Sequence, residues 1–114
     1  INKVGHINDV YGHEEGDMVI RKAANILINN QLEQSDIVRT NGDEFLIYMV
    51  GYEETKVITY MRRLYKEFKN LPYKFGASLG YSMILDDVKT IDDAINEAVL
   101  EIKTNKENQK ENEE

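Results

Sequence analysis

Two stretches of the 114-residue chain carry residue types that could do chemistry together. The first is Arg39-Thr40-Asn41-Gly42-Asp43-Glu44-Phe45, which sets two adjacent acids immediately after a tight turn. Successive strand side chains point to opposite faces, so Asp43 and Glu44 cannot both address one site unless the turn distorts the pleat. One carboxylate at a sheet edge is a natural ligand for Mg²⁺, which takes one or two protein carboxylates and completes its shell with water and phosphate. From this heptad alone, acids beside a turn are most simply solvated.

The second stretch is Asn8-Asp9-Val10-Tyr11-Gly12-His13-Glu14-Glu15-Gly16-Asp17. An amide and a carboxylate can read a purine's hydrogen-bonding edge, and guanine, with its neighbouring donors, suits the acid. By itself this cluster is equally well explained by Asp17 as a helix cap and by Asn8 and Gly12 as turn formers.

The elements that must position these residues are legible from periodicity. Val19, Ile20, Ala23, Ala24, Leu27 and Ile28 predict a helix over residues 17–31, with Asp17 as its cap. Ile37 to Thr40 and Phe45 to Val50 read as antiparallel strands joined by Asn41-Gly42 in a type I′ turn. The second strand is apolar on both faces, which predicts a central position. Val57, Met61, Leu64 and Phe68 mark a further helix ending before Leu71-Pro72. A strand over 75–84 follows, where Gly76 and Gly80 signal a bulge or a close backbone approach. Thr90-Ile91-Asp92-Asp93 reads as a capping box opening a last helix with Ala94, Ile95, Ala98 and Ile102 on its buried face. Ile1 to Val4 reads as the end of an earlier strand. The order predicts an α+β domain with an antiparallel or mixed central sheet flanked by helices.

Composition bounds the function. Hydrophobic residues make up 41% and charged residues 31%, an ordinary balance for one globular domain. With no cysteine and two histidines, His6 and His13, thiolate zinc sites, cysteine nucleophiles and multi-histidine sites are excluded. A net charge of −7 disfavours nucleic acid and anionic lipid, yet leaves a small phosphorylated ligand open, because a metal or backbone amides can hold phosphates. No apolar run is long enough to span a membrane. The expected location is cytoplasmic, with no membrane contact by this segment, though a longer parent could be membrane-anchored. The chain opens on Ile1 without an initiator Met, so it reads as a piece of something longer.

Taken together, the two clusters resemble the GGDEF domain of the diguanylate cyclase family, a bacterial signalling family. Its signature hairpin stands here as Asn41-Gly42-Asp43-Glu44-Phe45, and its upstream pattern as Asn8-Asp9, Gly12-His13 and Gly16-Asp17; a later strand matches at Ala77-Ser78-Leu79-Gly80-Tyr81. The resemblance covers residues 1–106 as a GGDEF domain lacking its N-terminal part, and leaves 107–114 as a polar tail expected to be disordered. It implies a palm-like, ferredoxin-like nucleotidyl-cyclase fold in which two GTP-loaded domains form a homodimer and condense two GTP to cyclic di-GMP and pyrophosphate. By position, Asn8 and Asp17 would contact guanine, and Asn41, Gly42, Lys3, Val4 and Gly5 would lie around the sugar and phosphates. Asp43 and the Ile1 backbone carbonyl would hold Mg²⁺, and Asp43 and Glu44 would be the catalytic pair. An upstream sensor domain in the parent protein is also implied.

The departures from the family pattern set the alternative. The family's main metal-binding Asp falls immediately before Ile1, Asn2 replaces the next Asp, Val4-Gly5 replaces Phe-Lys, and Asn41 replaces the first hairpin glycine. Acids Asp93 and Glu97 stand in the last helix, in a neighbourhood that runs to Lys103, where triphosphate-binding cations are usual, and Lys106 survives near the end. The inhibitory Arg-x-x-Asp motif is lost, its place taken by Glu33-Gln34-Ser35-Asp36. For this chain alone the expectation is negligible synthesis. The alternative is a non-catalytic module that binds guanine nucleotide or serves regulation and dimerisation.

Overall fold

A computed structural model describes the backbone of residue 1, residues 4–71, 77–86 and 88–113, and side chains as far as residue 105. The chain divides into two compact units, Ile1–Ala77 and Ser78–Glu114. The described elements are α+β, with four helices and a two-stranded antiparallel sheet.

In the first unit α1 (Val4–Tyr11) turns Val4 and Ile7 into the core. The expected strand end at Ile1 to Val4 is replaced from Val4 onward by this helix, and Lys3 lies outside the described residues. Val4 and Ile7, three apart, supply the apolar contact by which this eight-residue helix packs on the longer one that follows. Gly12, at φ 96°, breaks the run and lets α2 (His13–Asn29) start in a new direction. The helix thus begins four residues before Asp17, whose expected capping role is not realised. Glu14 and Glu15 occupy the first turn instead, where the helix dipole favours negative charge. Val19, Ile20, Ala23 and Leu27 are buried as their spacing predicts, whereas Ile28 is 59% exposed.

β1 (Ser35–Asn41) and β2 (Glu44–Met49) pair from Ser35↔Met49 to Arg39↔Phe45 and Asn41↔Glu44, with an irregularity between Arg39 and Asn41 that leaves Thr40 unpaired. The hairpin is therefore present but its tip differs from expectation. Gly42 and Asp43 form the turn, and neither Asn41 nor Gly42 has positive φ, so it is not type I′. The bulge at Thr40 supplies the extra twist that a type I′ turn would otherwise provide. Among the described residues β2 pairs with β1 alone, so the central placement read from its apolar faces is not seen there.

α3 (Glu54–Phe68) packs on α2 through Val57, Tyr60, Leu64 and Phe68, all buried. Asn30 at the end of α2 donates through Nδ2 to the Ile26 carbonyl, 2.8 Å, and to Glu67 Oε2 on α3. That bond satisfies an open helix end and ties the two helices together.

Residues 77–84, all but the first of them in the second unit, are not a strand, and the expected Phe75 and Gly76 lie outside the described residues. Side chains satisfy this backbone in place of a ladder: Asn105 Nδ2 donates to the Leu79 carbonyl at 2.7 Å and Lys89 Nζ to the Met83 carbonyl at 2.9 Å. Gly80 makes the close approach that its type signalled, since a Cβ there would overlap the Ala98 carbonyl oxygen. The last helix, α4 (Ile91–Glu113), opens with the expected capping box. Asp93 N donates to Thr90 Oγ1 at 3.1 Å and Thr90 N to Asp93 Oδ2 at 3.3 Å. Its backbone stays helical through residues 107–113, where good helix formers (Glu, Lys and Gln) are frequent despite the absence of apolar periodicity.

Candidate functional site

The hairpin tip is held from three sides. Arg39 donates to the Gly42 carbonyl through Nε at 3.0 Å and Nη2 at 2.6 Å. Ile1 N donates to the next carbonyl, that of Asp43, at 2.6 Å. Asn41 Nδ2 donates to Glu44 Oε2 at 3.0 Å. Two successive peptide carbonyls are thus fixed, and the half-buried Asp43 side chain projects from a braced turn, while Glu44 is exposed. The start of the chain meets the hairpin here, so the two expected metal ligands, Asp43 and the Ile1 carbonyl, come from neighbouring backbone.

The expected guanine residues belong to α1 and α2. Asn8, on α1, packs directly over Gly16 on α2: a Cβ at Gly16 would overlap Asn8 Oδ1 and lie 2.8 Å from its Cγ. Asn8 Oδ1 is buried without a hydrogen-bond partner. A buried carbonyl oxygen left unpaired costs on the order of 1–3 kcal/mol, so it marks a place where a donor is missing. Asp17 follows Gly16 and is exposed, with no cap to make. Gly16 was not among the residues singled out for the site; the available signal was an isolated glycine inside a helical pattern, which usually has a packing reason.

Val4 and Gly5, expected near phosphates, form the first turn of α1. The Val4 side chain goes into the core at 7% exposure, while Gly5 is exposed with open space where a Cβ would stand. The first four N–H groups of a helix have no partner within it, so this turn can offer amides to an anion. In the sequence Arg39 stands only as part of the motif; its role as the brace of the tip comes from the geometry.

Among the described residues no group of three or more His, Asp or Glu side chains is placed to hold a metal ion. The two expected donors, the Asp43 carboxylate and the Ile1 backbone carbonyl, are both hard oxygens. That donor chemistry suits Mg²⁺, which keeps several waters and takes the rest of its shell from phosphate oxygens.

In the second unit Glu97, one of the acids standing where cations are usual, is neutralised locally. Lys89 Nζ lies 2.7 Å from Glu97 Oε2 and Ser82 Oγ donates to the same oxygen at 2.6 Å. The Lys89 bond, then that from Ser82, holds the Glu97 carboxyl below the usual glutamate range. Asp93 is occupied by the capping box and Lys103 is exposed.

Residues 1–112 match the family described as "Diguanylate cyclase, GGDEF domain". The chain belongs to the GGDEF domain family. Similar proteins include "Probable diguanylate cyclase DgcJ" of Escherichia coli, 33% identical over 112 residues covering 95% of this chain and 22% of that protein. "Bifunctional diguanylate cyclase/cyclic di-GMP phosphodiesterase MucR" of Pseudomonas aeruginosa is 30% identical over 91 residues, 74% of this chain and 13% of that protein. "Diguanylate cyclase A" of Treponema denticola is 25% identical over 114 residues, 90% of this chain and 30% of that protein. This GGDEF chain spans under a third of each of these relatives. No described helix is long and apolar enough to cross a membrane.

Proposed function

We propose that this GGDEF chain is the guanine-nucleotide-binding part of a diguanylate cyclase signalling protein, with Asn8 and Asp17 reading the base. The observation that supports this most is the contact of Asn8 on α1 with Gly16 on α2, which sets the two expected base-reading residues, Asn8 and Asp17, on adjoining turns. Asp17, exposed on the adjoining turn, would accept from the neighbouring guanine donor. The amides of the first turn of α1 at Val4 and Gly5 would face the phosphates, with Lys3, Asn41 and Gly42 beside them.

Asp43 and the Ile1 carbonyl are the residues that would hold Mg²⁺. When bound there, such an ion lowers the pKa of an attacking 3′-hydroxyl and offsets charge on the α-phosphate. Glu44, on the same braced tip, would accept the hydroxyl proton or orient the group that does. In a homodimer two GTP molecules would meet so that each 3′-oxygen forms a bond to the other's α-phosphorus as its pyrophosphate leaves. One carboxylate and one carbonyl make a weak ion site, so this chain by itself binds nucleotide with negligible turnover, and synthesis belongs to the longer protein.

A second reading, a module that binds guanine nucleotide and regulates without turnover, is favoured by the absence of a three-group metal cluster among the described residues. The test is thermal unfolding with nucleotide, paired with a product assay on the longer protein. GTP at about 100 times its Kd should stabilise by about 2.7 kcal/mol, ATP should not, and Asp43→Ala should remove the Mg²⁺-dependent share. Cyclic di-GMP made by the longer protein decides for the cyclase reading over the regulatory one. If neither GTP nor GDP at millimolar concentration moves the melting temperature, both readings fail.

A further inference from the structure

Asp43, the acid expected to hold the ion, sits where packing supports the hairpin least. Its neighbour Gly42 is exposed, and among the described residues nothing beyond the adjoining chain lies within 4 Å of the place where a Cβ would stand. Glycine has more backbone freedom than any other residue, so an exposed turn built on it samples several shapes unless something outside the ladder restrains it. A carboxylate on an unrestrained turn gives up that freedom only when an ion binds, and the affinity falls accordingly.

Arg39 supplies the restraint. Its Nε donates to the Gly42 carbonyl oxygen at 3.0 Å and its Nη2 to the same oxygen at 2.6 Å. One donor lets a carbonyl pivot about the bond, whereas two from a single planar guanidinium fix its direction. That carbonyl belongs to the peptide that ends on the Asp43 nitrogen, and a planar peptide moves as a unit. Arg39 therefore fixes the plane from which Asp43 sets off. The Ile1 nitrogen donates to the Asp43 carbonyl at 2.6 Å and holds the plane that follows. With both flanking planes held, the freedom left to the carboxylate is rotation about its own side-chain bonds. Of the two anchors, Arg39 is the one that a substitution can remove.

We infer that Arg39 is a positioning residue for Asp43 and that, resting on the reading of Asp43 as an Mg²⁺ ligand, it raises the affinity of the hairpin tip for a divalent cation although it is itself a cation. Two effects of the guanidinium oppose one another. Its charge repels a nearby divalent ion, but at an exposed site water and salt screen that repulsion. Its fork preorganises the carboxylate, and removing a group that orients a metal ligand weakens metal binding by about 10–100-fold. Screening leaves preorganisation the larger effect. Charge alone predicts a tighter ion once Arg39 is made neutral; positioning predicts a weaker one.

The probe is Mn²⁺, titrated into the chain in the presence of GTP and followed by its paramagnetic resonance. Arg39→Met keeps the length of the stem without charge or donors, and should weaken Mn²⁺ binding about tenfold. Arg39→Lys, with a point donor in place of the fork, should recover part of the loss. GTP binding with the metal chelated should be equal in all three proteins, since Arg39 acts on the turn. Gln31→Ala is the structural control: Gln31 Nε2 donates to the Ser35 carbonyl at 2.9 Å, at the start of β1, and losing that bond should leave Mn²⁺ affinity unchanged. A second measurement needs no metal. The order parameter of the Asp43 amide should fall from about 0.85 in the parent to below about 0.6 in Arg39→Met. Arg39 is exposed, so neither substitution removes core packing.

Tighter or unchanged Mn²⁺ binding in Arg39→Met overturns the inference, as does an Asp43 amide whose order is unaltered. So does an equal loss of metal-free GTP binding, which would make Arg39 a phosphate contact instead. Asp43→Ala tells this failure from that of the underlying reading. If Asp43→Ala leaves Mn²⁺ affinity intact, Asp43 is not the ligand and both fall; if it removes the ion while Arg39→Met does not weaken it, only the role of Arg39 falls.

Discussion

The contact between Asn8 and Gly16 makes a sharp test of how α1 is seated on α2. In an ordinary helix Gly→Ala stabilises by about 0.8–1.0 kcal/mol, because glycine has more backbone freedom to lose. At Gly16 the new Cβ would overlap Asn8 Oδ1, stand 2.8 Å from its Cγ and 3.4 Å from its Nδ2. All three of these atoms belong to one side chain, so the overlap is relieved only if Asn8 leaves its place. Overpacking of this kind costs about 1–3 kcal/mol, partly offset because the released Oδ1 regains water. Gly16→Ala should therefore lose about 1 kcal/mol, or about 4 °C in melting temperature for a domain of this size. In an Asn8→Ala background the obstructing atoms are gone, and the same substitution should gain about 1 kcal/mol. The double-mutant cycle should then show a coupling of about 2 kcal/mol, read from urea unfolding of the four proteins. Additivity within about 0.5 kcal/mol would refute the packing argument, as would a Gly16→Ala single variant more stable than the parent.

Three further outcomes follow from geometry already described. Gly80→Ala should cost about 3 kcal/mol, measured by chemical unfolding, because the Ala98 carbonyl oxygen and Ile102 N that its Cβ would meet are helix backbone and cannot swing aside. Glu97 titrates below the ordinary glutamate range, so its contribution is present above that range and is lost as pH falls through its folded value. Glu97→Gln should flatten this acid limb of a melting-temperature profile, and carboxyl NMR should show the low midpoint directly. Burial, more than Arg63 opposes it, pushes the Tyr60 phenol up, so stability is full below the ordinary tyrosine range and falls as pH rises through the folded value. Its buried hydroxyl has no partner, so Tyr60→Phe should hold or raise stability at neutral pH and remove that alkaline loss.

Long amphipathic segments were the most legible part of the fold. The buried rows Val19, Ile20, Ala23, Leu27 and Val57, Leu64, Phe68 follow from period alone, and Thr90 with Asp93 announced the start of α4. The short helix α1 was not legible, because eight residues with two buried side chains carry too little periodicity to outweigh the glycines and asparagine around them. Asp17 was read as a cap for the same reason: Gly12 ends α1 by its φ, which residue type allows but does not announce. Strand character over 77–84 failed because its carbonyls are met by Asn105 and Lys89, partners distant enough that local propensity does not register them. At the site, motif spacing points to Asn8, Asp17 and Asp43, while the contacts of Gly16 and Arg39 are displayed only by the folded chain.

The unpaired Thr40 has a consequence for how the signature tolerates change. A surplus residue on one arm of the hairpin twists that arm locally and so sets how Arg39 meets the turn that carries the acids. Deleting Thr40 would make the ladder uninterrupted, yet Arg39 could no longer reach back across the same span to grip Gly42. The brace on the turn that carries the acids at 43 and 44 would be lost without a single change in their identity. A chain can thus keep every letter of the motif and still lose its meaning through a length change one position upstream.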